Sequence, residues 1–270
     1  MPWAASSRPE HRDQPVHSEA EIARASAAWV WFPRDSEQER SELQLVRYPS
    51  RFGGGVRGSQ VASALDPAEV LDLAVARTRA WGEGRLVFWT NAADSPDLED
   101  ELRRRGAVHD DTVTVFARPI PGEPIPVPDD IDTVIVRTLA DVRDVDAVSV
   151  PVWDQLPLDE QGLAEQLDEV TAELATGTGA RVLARIDGRP AGTAGCTIAD
   201  GFLRLWGAAT LPGFRGRGAY RAVLAERLRL GAELGATTAL VKGRVATSAP
   251  ILARCGFVPY GEDRSYVLTV

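Results

Sequence analysis

Apolar positions along this chain repeat at two spacings, and the spacings alternate. Val70, Leu71, Ala74 and Val75 form a stripe at helical spacing. Asp66-Pro67-Ala68-Glu69 starts that helix, with Asp66 as cap, Pro67 at the first helical position and Glu69 completing a capping box. Arg85-Leu86-Val87-Phe88-Trp89 reads as a strand. Ser95-Pro96 opens a second helix that places Leu98 and Leu102 one turn apart and stops at Gly106. Thr112-Val113-Thr114-Val115-Phe116 alternates as a strand.

The second half has more elements. Thr133 to Arg137 predicts a strand, and Asp141 to Val150 a helix ended by Pro151. Leu163, Leu167, Val170 and Leu174 mark another helix with Gly177 as its stop. Asp187-Gly188 is a hairpin turn between two apolar runs. A strand over Phe202 to Thr210 precedes a helix from Arg221 to Leu234. Then come a strand, Thr238 to Val241, a helix from near Ser248 to Gly256, and a final strand, Tyr266 to Val270. Between the halves, Pro119-Ile120-Pro121-Gly122-Glu123-Pro124-Ile125-Pro126-Val127-Pro128 is too proline-rich for a helix or a central strand and reads as an extended linker. Leu86 to Gly106 and Ala239 to Gly256 share a layout about 150 residues apart, which predicts a duplicated fold. The expected division is a mobile tail at 1–20, a first domain at 21–122, a linker at 123–130 and a second domain at 131–270.

Composition narrows the function. A net charge of −9 argues against general nucleic-acid binding, which needs a basic face. No apolar run is long enough to span a bilayer and no signal-peptide core is present, so neither a membrane nor a nucleic acid is expected as partner, and the cytoplasm is the expected compartment. His11 and His17 lie in the tail without ligand spacing, so no metal site is expected. Gly53-Gly54-Gly55-Val56-Arg57-Gly58 satisfies G-x-G-x-x-G, but no helix follows directly; it reads as a loop or bulged strand.

Candidate chemistry centres on Arg215-Gly216-Arg217-Gly218-Ala219-Tyr220, between a strand and a helix start. Unpartnered N–H groups and the helix dipole make such a turn an anion site, glycines let backbone approach a ligand, and arginine forks suit phosphate. The stretch resembles the Arg/Gln-x-x-Gly-x-Gly/Ala motif of the GCN5-related N-acetyltransferases. Arg215 and Gly218 match; Tyr220 departs from the usual last small residue. The order of elements from Thr133 to Val270 is also similar. The resemblance implies an α/β fold with an α+β mixed sheet, in two tandem acyl-CoA N-acyltransferase-like domains of which the N-terminal copy is degenerate. It implies acetyl-CoA as co-substrate, its diphosphate on Arg215, Gly216, Arg217, Gly218, Ala219 and Tyr220. Backbone at Ala209, Thr210 and Leu211 would bind the acetyl end, with Ser248 on the pantetheine arm.

The family's usual base position on the strand falls near Arg204, and its usual acid position on Leu252; neither can serve. Asp154, beside Trp153 in the loop that covers the acceptor, is the candidate catalytic base by elimination. Cys255 has no histidine in its half to activate it, which points to direct transfer. The expected activity is N-acetyl transfer to the amine of a small-molecule or peptide acceptor. A non-catalytic acyl-CoA-binding or interaction protein and a mycothiol synthase-like tandem acetyltransferase stay open as alternatives. The oligomeric state is not readable from these residues.

Overall fold

The computed structural model describes residues 17–59, 61 and 63–270. Structure begins earlier than the expected tail boundary: Ser18 closes a capping box with Glu21 and starts α1 (Glu19–Ala27). His17 stacks on Phe202 at 4.0 Å and its Nδ1 lies 2.8 Å from Thr238 Oγ1. His17 is therefore packed and Ser18 to Ala20 belong to the exposed start of α1, while the rest of the expected tail, His11 included, lies outside the described residues.

A meander of three short strands follows, β1 (Glu37–Arg40), β2 (Gln44–Arg47) and β3 (Val56–Ser59). Gly53, Gly54 and Gly55 turn the chain into β3 with φ of 81°, 60° and 77°. Next come α2 (Pro67–Ala80), β4 (Arg85–Thr90), α3 (Asp97–Arg104) and β5 (Val108–Pro119). The second half comprises β6 (Ile131–Ile135), α4 (Leu139–Trp153), α5 (Glu160–Thr176), β7 (Gly179–Ile186), β8 (Arg189–Ala199), β9 (Phe202–Thr210), α6 (Ala219–Glu233), β10 (Thr238–Arg244), α7 (Ala249–Arg254) and β11 (Val258–Thr269). Pro151 does not end α4. In the last turn a proline removes only one helical hydrogen bond, and the helix runs on to Trp153.

The strands form one sheet in the order β1-β2-β3-β4-β11-β5-β10-β9-β8-β7-β6. The halves exchange their last strands. β5, from the first half, lies between β11 and β10; β11, from the second, lies between β4 and β5. The proline-rich segment thus divides the sequence without dividing the sheet, and cutting there would strip β10 of its neighbour. Ile22 of α1 covers the exchange zone, packing with Val115, Ala117, Phe202 and Leu240. Each half keeps its own core beyond it, around Phe88 and Leu102 in the first and around Leu203, Leu224 and Leu252 in the second.

Candidate active site

β9 and β10 run parallel and pair only from Phe202/Thr238 to Leu205/Val241. Beyond that row β9 is held by β8 and β10 by β5, so the strands part and backbone faces an opening. The register of β9 on β8 slips between Thr193 and Gly195, and Gly207 takes φ 60° opposite the slip. A bulge of this kind turns main-chain groups toward the gap. Leu211 N–H donates to Ala191 O at 2.9 Å. Antiparallel alternation then makes Thr193/Ala209 the next hydrogen-bonded pair and Gly192/Thr210 the open one. Of the backbone donors expected at Ala209, Thr210 and Leu211, only Thr210 N–H turns away from β8 toward the gap. The other two are corrections to that expectation, because sheet pairing already uses them.

At the outer end of the gap, α6 starts at Gly218, which has φ 102° and no side-chain cap. A Cβ there would sit 2.9 Å from Pro128 Cδ, so both conformation and space demand glycine. The first-turn amides of α6 are left with the positive end of the helix dipole and no carboxylate of their own. Arg215, Gly216, Gly218, Ala219 and Tyr220 line the opening, and so does Ser248 at the start of α7. Arg217 does not. Its guanidinium is drawn off to Asp130 at 3.0 Å and Asp187 at 3.3 Å on the outer surface. Arg221 and Arg254 line the mouth instead. Arg221 was legible as the first residue of the predicted helix; Arg254 comes from a different element and carried no local signal.

The gap opens into a cleft of about 2250 Å³ whose far end is walled by both halves. Trp206 of β9 meets Trp31 of the first half at 5.5 Å, and Trp31 meets Phe52 at 5.9 Å. Arg51 fixes this wall to the second half: it pairs with Asp146 at 2.8 Å and donates to Leu156 O. Arg181 of β7 lies over the Trp206 ring at 4.6 Å. Glu165, Glu169 and Glu173 of α5 line the same end. Burial, reinforced by Glu169, pushes the Glu173 carboxyl above its ordinary value.

Asp154 is not at the cleft. It is exposed, takes φ 51° and ends α4, with Trp153 and Gln155 on either side facing the cleft in its place. The left-handed turn that stops the helix points the intervening residue outward. Leu252 is fully buried and packs where a Cβ on Gly243 would lie. Cys255 lines the cleft as a free thiol, and burial pushes its pKa up. A protonated thiol is a poor nucleophile. Among the described residues no His/Cys/Asp/Glu group could hold a metal ion, and no helix is long and apolar enough to cross a membrane.

Residues 147–257 match the model of the Acetyltransferase (GNAT) family. That match falls within the second half. The matched stretch runs from α4 to α7 and includes the parted strands, the uncapped helix start and Arg181. Solved structures share the fold over nearly the whole chain. A GCN5-related N-acetyltransferase from Kribbella flavida is 21% identical with a TM-score of 0.63, covering 92% of this chain and 94% of that one. One from Sphaerobacter thermophilus is 16% identical with a TM-score of 0.64, covering 93% and 85%. A tandem GNAT protein from the clavulanic acid biosynthesis pathway is 14% identical with a TM-score of 0.61, covering 88% and 84%. No curated protein matches the chain. GNAT enzymes use acyl-CoA and act on amine acceptors, so the fit of this cleft to both is the functional question.

Proposed function

We propose that the chain transfers an acetyl group from acetyl-CoA to the amine of a small acceptor, directly and without an acyl-enzyme. The observation that carries this reading is the combination of parted parallel strands with an uncapped, arginine-flanked helix start at their mouth. Diphosphate fits the first-turn amides of α6 and Gly216, with charge from Arg215, Arg221 and Arg254. The residues fit the group: the glycine turn leaves room at Gly216, where nothing approaches a Cβ within 4 Å, and no carboxylate caps the helix. Ser248 stands beside the path of the pantetheine arm. Thr210 N–H is the donor aimed at the thioester carbonyl, an oxyanion-type role.

The amine nitrogen forms the C–N bond as the C–S bond breaks, the electron pair leaves on sulfur, and one proton passes from nitrogen to the thiolate. Before attack an ammonium must lose its first proton. Glu173 supports that step better than Asp154, because burial makes its carboxylate a stronger base near neutral pH and it faces the cleft. Proximity and orientation in the cleft supply the larger share of the barrier reduction, about 7–11 kcal/mol at best. The protonated state of Cys255 supports direct transfer. The test uses the full chain: calorimetry with acetyl-CoA should give one site per chain, and thiol release should need an added amine. Binding without thiol release across a broad amine panel would turn the reading into that of a non-catalytic acyl-CoA-binding protein.

A further inference from the structure

The acceptor end of the cleft has a charged floor that acetyl transfer to a plain amine does not require. One cross-strand row of the sheet is Arg181, Gly195 and Trp206. A Cβ on Gly195 would lie 2.6 Å from the Trp206 ring, so the indole lies flat across the glycine. Its Nε1–H donates to Thr197 Oγ1 at 2.9 Å, which fixes it there. Arg181 lies over this ring, and its Nη1 is the atom nearest to a Cβ placed at Gly207, at 3.8 Å. Its guanidinium therefore sits at the bulge, three residues before Thr210 on β9.

Arg181 is half-buried, and burial pushes its pKa down to about 10. Its Nε is buried without a hydrogen-bond partner. Arg204, two rows along with Thr197 and Gly179, has a buried Nε in the same condition and a single ion pair, to the exposed Asp200 at 3.3 Å. Buried donors of this kind are normally satisfied, and a guanidinium is a fork built for a planar anion. Glu169 and Glu173 act on Arg181 through charge without a hydrogen bond, and a Cβ on Gly179, two residues before Arg181 on β7, would lie 3.0 Å from Glu173 Oε2. This end of the pocket thus sets cationic donors and carboxylates side by side.

We infer that the acceptor is an amino acid: its carboxylate is received by Arg181, with Arg204 behind, and its ammonium faces Glu173 before transfer. This rests on the acetyltransferase reading. Arg181 at the bulge and Thr210 further along β9 set the separation of the two groups, since the amine must reach the acetyl carbon while the carboxylate stays on the guanidinium. Trp31 and Phe52 provide the wall for its side chain.

The experiment compares acceptors that differ only in the carboxylate: tryptophan with tryptamine, phenylalanine with phenethylamine, lysine with cadaverine, and β-alanine with propylamine. The full-length protein should acetylate at least one amino acid with kcat/KM tenfold or more above that of its amine. Arg181→Met should lower the amino-acid value by about 10- to 150-fold, the range for a lost charge-assisted bond, and lower the amine value far less. Arg181→Lys should fall between them. A binding arm needs no turnover: the preferred amino acid should change the fluorescence of Trp206, and Arg181→Met should abolish that change. Amines used as well as amino acids, equal losses on both members in Arg181→Met, or no amino acid that is either turned over or bound would each overturn the inference. Calorimetry with acetyl-CoA separates its failure from that of the parent reading. Amino-acid binding that depends on Arg181 while acetyl-CoA fails to bind would sink the acetyltransferase assignment and keep the site.

Discussion

The starts of α2 and α6 are the same structural position in the two halves, and they treat the same orphan donors in opposite ways. Each helix links two parallel strands, β3 to β4 and β9 to β10. At α2, Asp66 accepts from Ala68 and Glu69 N–H, and Glu69 accepts from Asp66 N–H in return. The helix satisfies its own N-terminus with two carboxylates. At α6 the cap is Gly218, which has no side chain to offer, and the donors remain for an outside anion. Phe88 is fully buried against Gly58, where a Cβ would meet its ring at 2.7 Å, and seals β3 to β4 at their last paired row. Beyond it Ser59 and Trp89 line the cleft, as Gly207 and Lys242 do where β9 and β10 part. Two halves of one sheet can thus share a strand–helix–strand arrangement and differ in whether the helix start carries its own cap.

The largest effect expected is at the seal. Phe88→Ala should cost about 3–5 kcal/mol of stability by leaving a cavity between β3 and β4. Thermal or urea unfolding reads this directly, and an unchanged midpoint would mean that Phe88 does not hold the strands together. The next effect lies at the open helix. Arg221→Glu should weaken acetyl-CoA binding by about 10- to 150-fold, by loss of a charge-assisted contact. Arg217→Glu should change the same dissociation constant by less than about threefold, since that side chain is held by Asp130 and Asp187 on the exposed outer face. Equal losses in the two variants would move the diphosphate to the other side of the loop.

Removing the cap of α2 should be milder. Asp66→Ala should cost about 0.5–2 kcal/mol of stability. Combined with Glu69→Ala it should still leave one acetyl-CoA per chain in calorimetry, because the segment before α2, unlike that before α6, contains no arginine. A second site in that variant would show that capping alone separates the halves.

The smallest effect is in pH. Asp94 lies on the loop after β4 and accepts from Asn91 N–H at 2.7 Å; Ser248 lies on the corresponding loop after β10. Burial, with some help from Asp263, holds the Asp94 carboxyl up to about 6 against an ordinary 3.8. The raised value favours the protonated form in the fold. Its contribution to stability is present below the ordinary value and is lost as pH rises through about 6. Asp94→Asn should flatten the pH dependence of the melting temperature between about 4 and 6, where the native protein should lose stability with rising pH. A variant with the native slope would assign that slope to another group.

Several features were legible in the residues alone. The capping box at Asp66, the helix stripes, the hairpin at Asp187-Gly188 and the glycine turn at Gly216 and Gly218 are local, and local propensity decides them. The same holds for the exclusion of Asp154's rivals, since Arg204 and Leu252 are incapable wherever they sit. What local pattern could not give was which side chain faces which way. Arg217 fits phosphate by type, yet carboxylates from the linker end and the hairpin pull it outward. Asp154 fits a base by type, yet the left-handed turn that ends α4 points it into solvent.

The sequence by itself determined the elements from α2 onward, their order and the glycine turn ahead of α6, because each depends on residues within a few positions of one another; it left α1, β1 and β2 unmarked. Only the tertiary structure decided the exchange of β5 and β11, the single sheet that results, and the acceptor end of the cleft. Trp31, Phe52, Arg181 and Trp206 are brought together from distant parts of the chain by strand pairing. No spacing rule along the chain encodes such a meeting, because it is set by which strand edge is left free for which partner once both cores have formed.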